Sequence, residues 1–290
     1  MNGNITELFC LIDDFCNSVD KNFAAKLLPA SKKPTRTPEI THSEILTIIL
    51  LYHQSKCDNF KIFYVHYLKL LCESAFPKLP SYTRFIALKP RILWYLMLLL
   101  EWFCGQAKMT GISYIDATSI AVCHSKRISR NKVFAEIAKL SKSTYGWFFG
   151  FKLHLVINEK GEIQAFTLTK GNVDDRKPVP NLTKKLTGLL FGDKGYIKQD
   201  LFHELFNRGL KLVTNIRKGM KNMLMSLNEK ILLRKRSIVE TVFDNLKNKF
   251  EIEHTRHRSP INFFVHILST LASYSLKTKK PSISCSFFVG

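Results

Sequence analysis

Residues 111–122 read Gly-Ile-Ser-Tyr-Ile-Asp-Ala-Thr-Ser-Ile-Ala-Val, an apolar run that predicts a buried β-strand with Asp116 in its middle. An ionised carboxylate inside a sheet is costly unless a cation or hydrogen-bond donors replace the water that it loses. The strand therefore predicts that the rest of the chain supplies either a structural partner for Asp116 or a site for a metal ion.

The composition indicates a globular protein with a polyanionic partner. The chain has 290 residues, 46% of them hydrophobic, which is enough to bury the core of one large domain or two modest ones. It carries 44 Lys and Arg against 23 Asp and Glu, a formal net charge of +21 that favours association with a polyanion. Nucleic acid is therefore the expected partner.

Membrane insertion and disulfide or zinc frameworks do not fit the sequence. The most apolar stretch, 93–104, is shorter than a membrane span and contains Glu101, and we expect no signal peptide. The seven cysteines are odd in number, widely spaced and without a C-x-x-C pair, which is typical of reduced cysteines and argues against structural zinc. We expect a cytoplasmic protein with no membrane contact.

Helical periodicity dominates the chain as far as Gly105. The apolar spacing predicts helices over 5–19, from Thr41 onward, and over 60–74, 81–86 and 91–103. Thr41 and Glu44 fit a capping box, and the basic, proline-rich loop 30–41 before them is expected to touch phosphate. The short helix that carries Arg84 suits a DNA-reading helix-turn-helix, and an ordinary helical bundle fits the same pattern equally well.

Beyond Gly105 the pattern changes to that of strands. Two runs, 147–157 and 162–169, flank the turn 158–161 and predict an antiparallel hairpin. Residues 189–196 form a second apolar strand that carries Asp193 at its end, 211–216 predict another strand, and 179–186, 200–207, 237–250 and 263–276 predict helices. The basic stretch 125–143, which includes Lys142, is predicted to be either a flexible loop or a weak helix, and it is either a solvated linker or a phosphate-binding segment.

Three acidic residues are the candidate metal ligands: Asp116 and Asp193 on strands, and Glu240 on a later helix. Three hard oxygen donors leave water and substrate phosphate to complete an octahedral shell around Mg²⁺ or Mn²⁺. With two such ions, one lowers the pKa of the attacking water or hydroxyl and the other stabilises the leaving oxygen in a phosphoryl transfer.

Each acid taken alone also has a plainer interpretation. Asp116 fits a buried, hydrogen-bonded aspartate, and Glu240 fits a solvated helical residue for which Asp244 or Glu251 could be mistaken. Asp174 and Asp175 follow a Gly-Asn turn and are interpreted as turn residues that border the site. His154, in an alternating strand, is interpreted as a packed or surface histidine and not as a ligand.

Four motifs together resemble a known family. They are Tyr-Ile-Asp-Ala-Thr at 114–118, Gly-Trp-Phe-Phe-Gly-Phe-Lys-Leu-His-Leu at 146–155, Gly-Asp-Lys-Gly-Tyr at 192–196 and Glu-Thr-Val-Phe at 240–243. The chain resembles the transposases of bacterial insertion sequences that carry a DDE catalytic domain on an RNase H-like fold, and in particular the insertion sequence 982 family. In related transposases the glutamate helix carries Tyr, two residues, Arg, three residues, Glu, six residues and Lys. Arg236, Glu240 and Lys247 match that spacing, and Leu233 stands where tyrosine would be.

The resemblance implies an α/β fold in which an RNase H-like mixed sheet with flanking helices (109–276) follows an all-helical DNA-binding domain (1–108) and precedes a disordered tail (277–290). It implies an enzyme that nicks DNA at transposon ends and transfers the freed 3′ hydroxyl to target DNA. Asp116, Asp193 and Glu240 would be its catalytic residues and metal ligands. The expected DNA contacts are Arg236, Lys247, Arg84, Lys142 and Lys194. Holding two DNA ends implies a homodimer, located at the nucleoid in the bacterial cytoplasm.

Two other functions stay open at this point. One is a DNA endonuclease on the same fold that cuts without joining. The other is a catalytically inactive DNA-binding derivative, against which the intact set of Asp116, Asp193 and Glu240 argues. Products of strand transfer in the presence of Mg²⁺ would distinguish the transposase from the nuclease.

Overall fold

A computed structural model describes residues 2–23, 39–55, 57–72, 74–144, 146–216, 225–253 and 257–283. The chain divides into two compact units: Met1–Leu100 with Lys249–Glu251 and Ser259–Leu276, and Glu101–Asn248 with Ile252–Arg258 and Lys277–Gly290. Most of the predicted phosphate-binding loop 30–41 lies outside the described residues. Within these ranges, no helix has the length and apolar character that crossing a membrane requires.

The helices are numbered in chain order. They are α1 (Asn2–Phe23), α2 (His42–Gln54), α3 (Phe60–Ile62), α4 (Lys69–Leu71), α5 (Tyr82–Leu88), α6 (Leu93–Gln106), α7 (Val179–Leu182), α8 (Gln199–Phe206), α9 (Leu227–Arg234), α10 (Ser237–Asp244) and α11 (Pro260–Ser275). A π-helical segment, Phe63–Leu68, joins α3 to α4, so the predicted helix over 60–74 is one continuous helical stretch as far as Leu71.

The first unit is a helical assembly around α2. The predicted capping box is present, because the Glu44 N–H donates to Thr41 Oγ1 (3.1 Å) while the Thr41 N–H donates to Glu44 Oε2 (2.7 Å). Both α1 and α11 pack on α2, and a ring nitrogen of His53 lies 2.8 Å from Ser269 Oγ. The expected boundaries grouped 263–276 with the sheet. The structure groups α11 with the helical unit instead, since its buried side chains pack against α2.

The second unit is organised around a mixed sheet. Its strands in the described residues are β1 (Ile112–Ala121), β2 (Lys139–Ser143), β3 (Gly146–Asn158), β4 (Ile163–Lys170), β5 (Gly188–Gly192) and β6 (Leu210–Thr214). One edge of β3 pairs antiparallel with β1, and its other edge pairs antiparallel with β2 and β4. The strands β5 and β6 extend the sheet from β1 in parallel, which gives the order β4–β3–β1–β5–β6 with β2 beside the first part of β3.

The two faces of the sheet have different surroundings. Ile115 of β1 and Val156 of β3 pack with Val179 of α7 and Leu201 of α8 in a buried apolar cluster. Because side chains alternate along a strand, Asp116 and its pairing partner Leu155 point to the opposite face. Helix α10 packs against β1 and brings its own polar residues towards Asp116.

One prediction for the second unit was wrong. Residues 125–143 are neither a simple loop nor a weak helix, since a 3-10 helix (Ser125–Arg130) is followed by strand β2, which pairs with β3. The tail from Lys277 was predicted to be disordered; its described part extends to Ile283, whose N–H donates to the Glu159 carbonyl at 2.8 Å. The remainder, 284–290, lies outside the described residues. The prediction of a hairpin turn at 158–161 is confirmed, and the Asn158 N–H donates to the Glu162 carbonyl across the turn at 3.1 Å.

Replacing Gly150 with alanine should disrupt the pairing of β1 with β3. A Cβ at this position would lie 2.0 Å from the Ile120 carbonyl oxygen, so the strands must separate, at a cost of at least about 1–3 kcal/mol in the free energy of unfolding. Gly105→Ala is the matched control, because nothing lies within 4 Å of its added Cβ. Urea unfolding of both variants measures the difference, and equal stabilities would contradict this account of Gly150.

A buried lysine in the helical unit makes its stability depend on pH. Lys89 is 6% exposed, and its Nζ lies 4.9 Å from the centroid of the Phe60 ring. Burial lowers the pKa of Lys89 to about 8. The unfolded chain, with its ordinary pKa near 10.5, therefore binds more protons than the folded chain between these two values, and this lysine costs stability at neutral pH.

Lys89→Met should therefore stabilise the protein at pH 7, by up to about 3 kcal/mol if the whole pKa difference is recovered. The advantage should shrink as the pH rises from about 8 and disappear above about 10.5, where the lysine is neutral in both states. Denaturant unfolding across that range measures it. The exposed Lys69→Met serves as control and should change the stability by less than about 0.5 kcal/mol. A destabilised Lys89→Met would contradict the prediction.

Candidate active site

Strand register brings the two predicted aspartates side by side. In the parallel pair of β1 and β5, Tyr114 stands opposite Phe191, and their rings stack with centroids 5.3 Å apart. Asp116 and Asp193 each lie two residues beyond this last paired position, and the charge of Asp193 acts on Asp116. Asp193 comes directly after the end of β5, where a sheet of this kind presents its ligand-binding edge.

Helix α10 carries Glu240, and Arg236, one helical turn before Glu240, contacts its carboxylate. One guanidinium nitrogen, Nη1, is 3.3 Å from Asp116 Oδ2, and Nη2 is 2.8 Å from Glu240 Oε1. Only 20% of the Arg236 side chain is exposed, whereas 56% of Glu240 is. The guanidinium therefore joins a strand carboxylate, Asp116, to a helix carboxylate, Glu240.

Asp116 lies within the electrostatic influence of two other acids. Its pKa is raised to about 6, first by burial and also by the nearby charges of Glu240 and Asp193, whereas the Ala117 N–H and Arg236 act in the opposite direction. The Ala117 N–H donates to Asp116 Oδ1 at 2.8 Å. A buried acid close to other acids favours a bound cation, because a cation offsets both the lost hydration and the repulsion.

The donor set fits a hard divalent cation, but the carboxylates do not form a closed cage. Among the described residues, no group of three or more His, Cys, Asp or Glu side chains is arranged to hold a metal ion. The observation that supports a fit is Arg236, whose positive charge already contacts oxygens of both Asp116 and Glu240. These oxygens would bind a metal ion only after the guanidinium had moved aside.

The other predicted DNA contacts are distributed over the chain. Lys194 is exposed, follows Asp193 directly and donates its N–H to Asp193 Oδ1 at 2.7 Å. Lys247 pairs with Glu253 at 3.0 Å. Lys142 is exposed on β2, opposite Trp147, and Arg84 is exposed on α5 of the helical unit. Arg236, predicted to bind phosphate, contacts carboxylates in this structure.

Several neighbours of the site received no role from the sequence. Burial and the charges of Asp116, Asp175 and Asp193 raise the pKa of Tyr196 well above its usual value, and its buried hydroxyl has no hydrogen-bond partner among the described residues. Lys152, which is on the same face of β3 as His154, pairs with Asp175 at 2.9 Å, and the role of Asp175 as a turn residue that borders the site stays a prediction. The sequence feature that could have indicated Tyr196 as a neighbour of the site is its place in the Gly-Asp-Lys-Gly-Tyr motif. A tyrosine at that position is equally compatible with packing in the core.

His154 does not belong to the carboxylate cluster. It lies on the other face of the sheet, opposite Ala117, and is fully buried. One ring nitrogen, Nε2, is 2.8 Å from Thr169 Oγ1, and burial lowers the pKa of the imidazole. It is a packed histidine, as its place in an alternating strand predicted.

Comparison with known proteins identifies one family. A family model described as a transposase DDE domain matches residues 106–260, a range that contains Asp116, Asp193 and Glu240. No curated protein matches the chain. Two crystal structures of the Mos1 mariner paired end complex, with Mn and with Mg, align at 11% and 10% identity over 94% and 93% of this chain and 95% and 88% of theirs. Their TM-scores of 0.25 and 0.24 are too low to establish a shared fold.

Removing the guanidinium should expose a competition between Arg236 and metal ions. In buffer with a chelator, Arg236→Ala should be less stable than the wild type by about 1–3 kcal/mol, because two carboxylates lose their charged donor. Added Mn²⁺ should then raise the melting temperature of the variant more than that of the wild type, since binding to the folded state no longer requires the arginine to move.

The control is Arg234→Ala, which removes an exposed arginine at the end of α9. It should respond to Mn²⁺ as the wild type does. Equal Mn²⁺-dependent shifts in the wild type and in Arg236→Ala, measured by differential scanning calorimetry, would contradict the competition.

Proposed function

The chain belongs to the family of transposases with a DDE domain, and from that premise we propose that it is the transposase of a bacterial insertion sequence. It nicks DNA at the ends of the element and transfers each freed 3′ hydroxyl to target DNA. The observation that carries this proposal is the contact of one guanidinium with both Asp116 and Glu240, near the charge of Asp193, on a chain with a net charge of +21.

The roles of the residues follow from their positions. Asp116 and Asp193 follow paired positions of adjacent strands, and Glu240 approaches from α10, so these three carboxylates would hold divalent cations. Two Mg²⁺ or Mn²⁺ ions held there would lower the pKa of the attacking water or hydroxyl and stabilise the leaving oxygen. Arg236, whose planar guanidinium is well suited to phosphate, would bind a DNA phosphate beside them.

The surroundings of the carboxylates support the same reaction. Lys194 is exposed next to Asp193 and is assigned here to a phosphate of the bound strand. The apolar cluster behind the sheet, with Ile115 and Val156 at its centre, keeps the strand that carries Asp116 rigid. A rigid strand matters because phosphoryl transfer depends on positioning and on electrostatic stabilisation more than on covalent chemistry.

The finer assignments belong to the same proposal. The strand order β4–β3–β1–β5–β6, with three antiparallel strands followed by two parallel ones, supports an RNase H-like catalytic unit. The spacing of Arg236, Glu240 and Lys247 supports the insertion sequence 982 family, from which Leu233 departs. The helical unit, with Arg84 exposed on α5, binds the element ends, and two ends are held by a homodimer at the nucleoid.

Asp193→Asn should abolish cleavage of DNA that carries the ends of the element. The variant keeps the size of the side chain but loses the charge that binds Mg²⁺, so its cleavage rate should fall by more than the 10- to 100-fold that is typical when residues supporting a metal site are changed. Purified protein, Mg²⁺ and labelled end DNA suffice, with products resolved on denaturing gels. Glu240→Gln should have the same effect.

The matched control is Asp200→Asn, which removes an exposed carboxylate on α8 that pairs with Lys198 at 3.3 Å. It should cleave like the wild type. Unchanged cleavage by Asp193→Asn would overturn the assignment of the site. Cleavage without any joining to a target plasmid, even from ends already cut to a 3′ hydroxyl, would identify a nuclease instead of a transposase.

A further inference from the structure

The segment between β1 and β3 carries an unusual concentration of unpaired positive charge. We call residues 124–147, apart from Tyr145, which lies outside the described part, the basic arm. Its six basic residues are all exposed and are opposed by one acid, Glu136. The six are Lys126, Arg127, Arg130, Lys132, Lys139 and Lys142. In the described part of the chain, none of the six takes part in an ion pair.

Large apolar side chains are exposed in the same arm. Trp147 is 62% exposed, Leu140 47% and Val133 44%. Trp147 stands directly across the strand pair from Lys142, so an open indole ring lies beside a lysine near the tip of the β2–β3 hairpin. An exposed aromatic ring flanked by cations suits a nucleic acid strand, in which bases offer a flat surface for stacking and phosphates offer negative charge.

The hairpin tip shares a face of the sheet with the candidate active site. Asp116 pairs with Leu155, and Trp147 lies on the same strand as Leu155, eight residues away. An even separation keeps both side chains on one face, and at about 3.3 Å per residue the tip lies about 26 Å from Asp116 along β3. In duplex DNA the phosphates of one strand are about 3.4 Å apart along the helix axis, so a duplex that runs parallel to β3 has about eight base pairs in this distance.

We propose that the basic arm is a second DNA-binding site, which holds the DNA about eight nucleotides from the phosphate that is cut. The lysines and arginines of the arm bind phosphates, and the indole of Trp147 stacks on a base. This inference rests on the proposed function, because the shared face is meaningful only if DNA lies against Asp116. Anionic lipid also attracts cations next to tryptophan, but the common face with the carboxylates favours DNA.

The test uses end DNA with 2-aminopurine placed singly at successive positions on either side of the cleavage site. With wild-type protein, the fluorescence should change most at about eight nucleotides from the cut. Trp147→Ala should remove that change and weaken binding by about 5- to 100-fold, the range expected when one stacking aromatic is lost. The double variant Lys139→Gln, Lys142→Gln should reduce the slope of log Kd against log salt by about two.

Controls separate this inference from the proposed function. Leu227→Ala removes an apolar side chain that is 73% exposed but lies outside the arm, and it should bind like the wild type. Melting temperatures establish that Trp147→Ala is folded. Suppose that Asp193→Asn is inactive, while both arm variants have the DNA affinity, salt dependence and 2-aminopurine fluorescence of the wild type. The arm inference then fails and the proposed function stands. If Asp193→Asn still cuts, the proposed function fails.

Two further outcomes would overturn the role of the arm. One is a fluorescence change confined to within about three nucleotides of the cut, which would place the DNA away from the hairpin tip. The other is loss of binding to phosphatidylglycerol vesicles in the arm variants while their binding to end DNA is unaltered, which would assign the arm to a lipid surface.

Discussion

The structure of the site depends on the neutralisation of buried negative charge. Three carboxylates that are distant in sequence are held near one another, and Asp116 is buried enough for its pKa to rise to about 6. Arg236 offsets part of this cost because it contacts Asp116 and Glu240 together. The guanidinium therefore supplies positive charge to these carboxylates from within the chain itself.

Strand pairing in the sheet sets the positions of the two aspartates. Parallel pairing of β1 with β5 aligns Tyr114 with Phe191, two residues before Asp116 and Asp193, although the chain between them includes a hairpin and a helix. Gly150 allows β1 and β3 to approach so closely that even a methyl group would meet the Ile120 carbonyl. The position of Asp116 is therefore set by backbone pairing on both sides of β1, and a side chain fixed in this way needs little rearrangement to bind substrate.

Much of this architecture could be predicted from the sequence, and the exceptions have physical reasons. The strand around Asp116, the hairpin at 158–161 and the capping box of Thr41 are local patterns, so they were predicted correctly. Strand β2 was missed because its residues, Lys-Leu-Ser-Lys-Ser, are mostly polar and become a strand only by pairing with β3. The contact of Arg236 with Asp116 joins residues 120 positions apart, and no local pattern predicts it. The grouping of α11 with the N-terminal helices was missed for the same reason.

That grouping has a consequence for biosynthesis. Helix α2 is covered in part by α11, and His53 reaches Ser269 across 216 positions of the chain. After the N-terminal helices have left the ribosome, the whole sheet must still be translated before α11 is available to pack on α2. The helical unit therefore reaches its final form only after the catalytic unit has been made, so a truncated nascent chain would lack a finished helical unit.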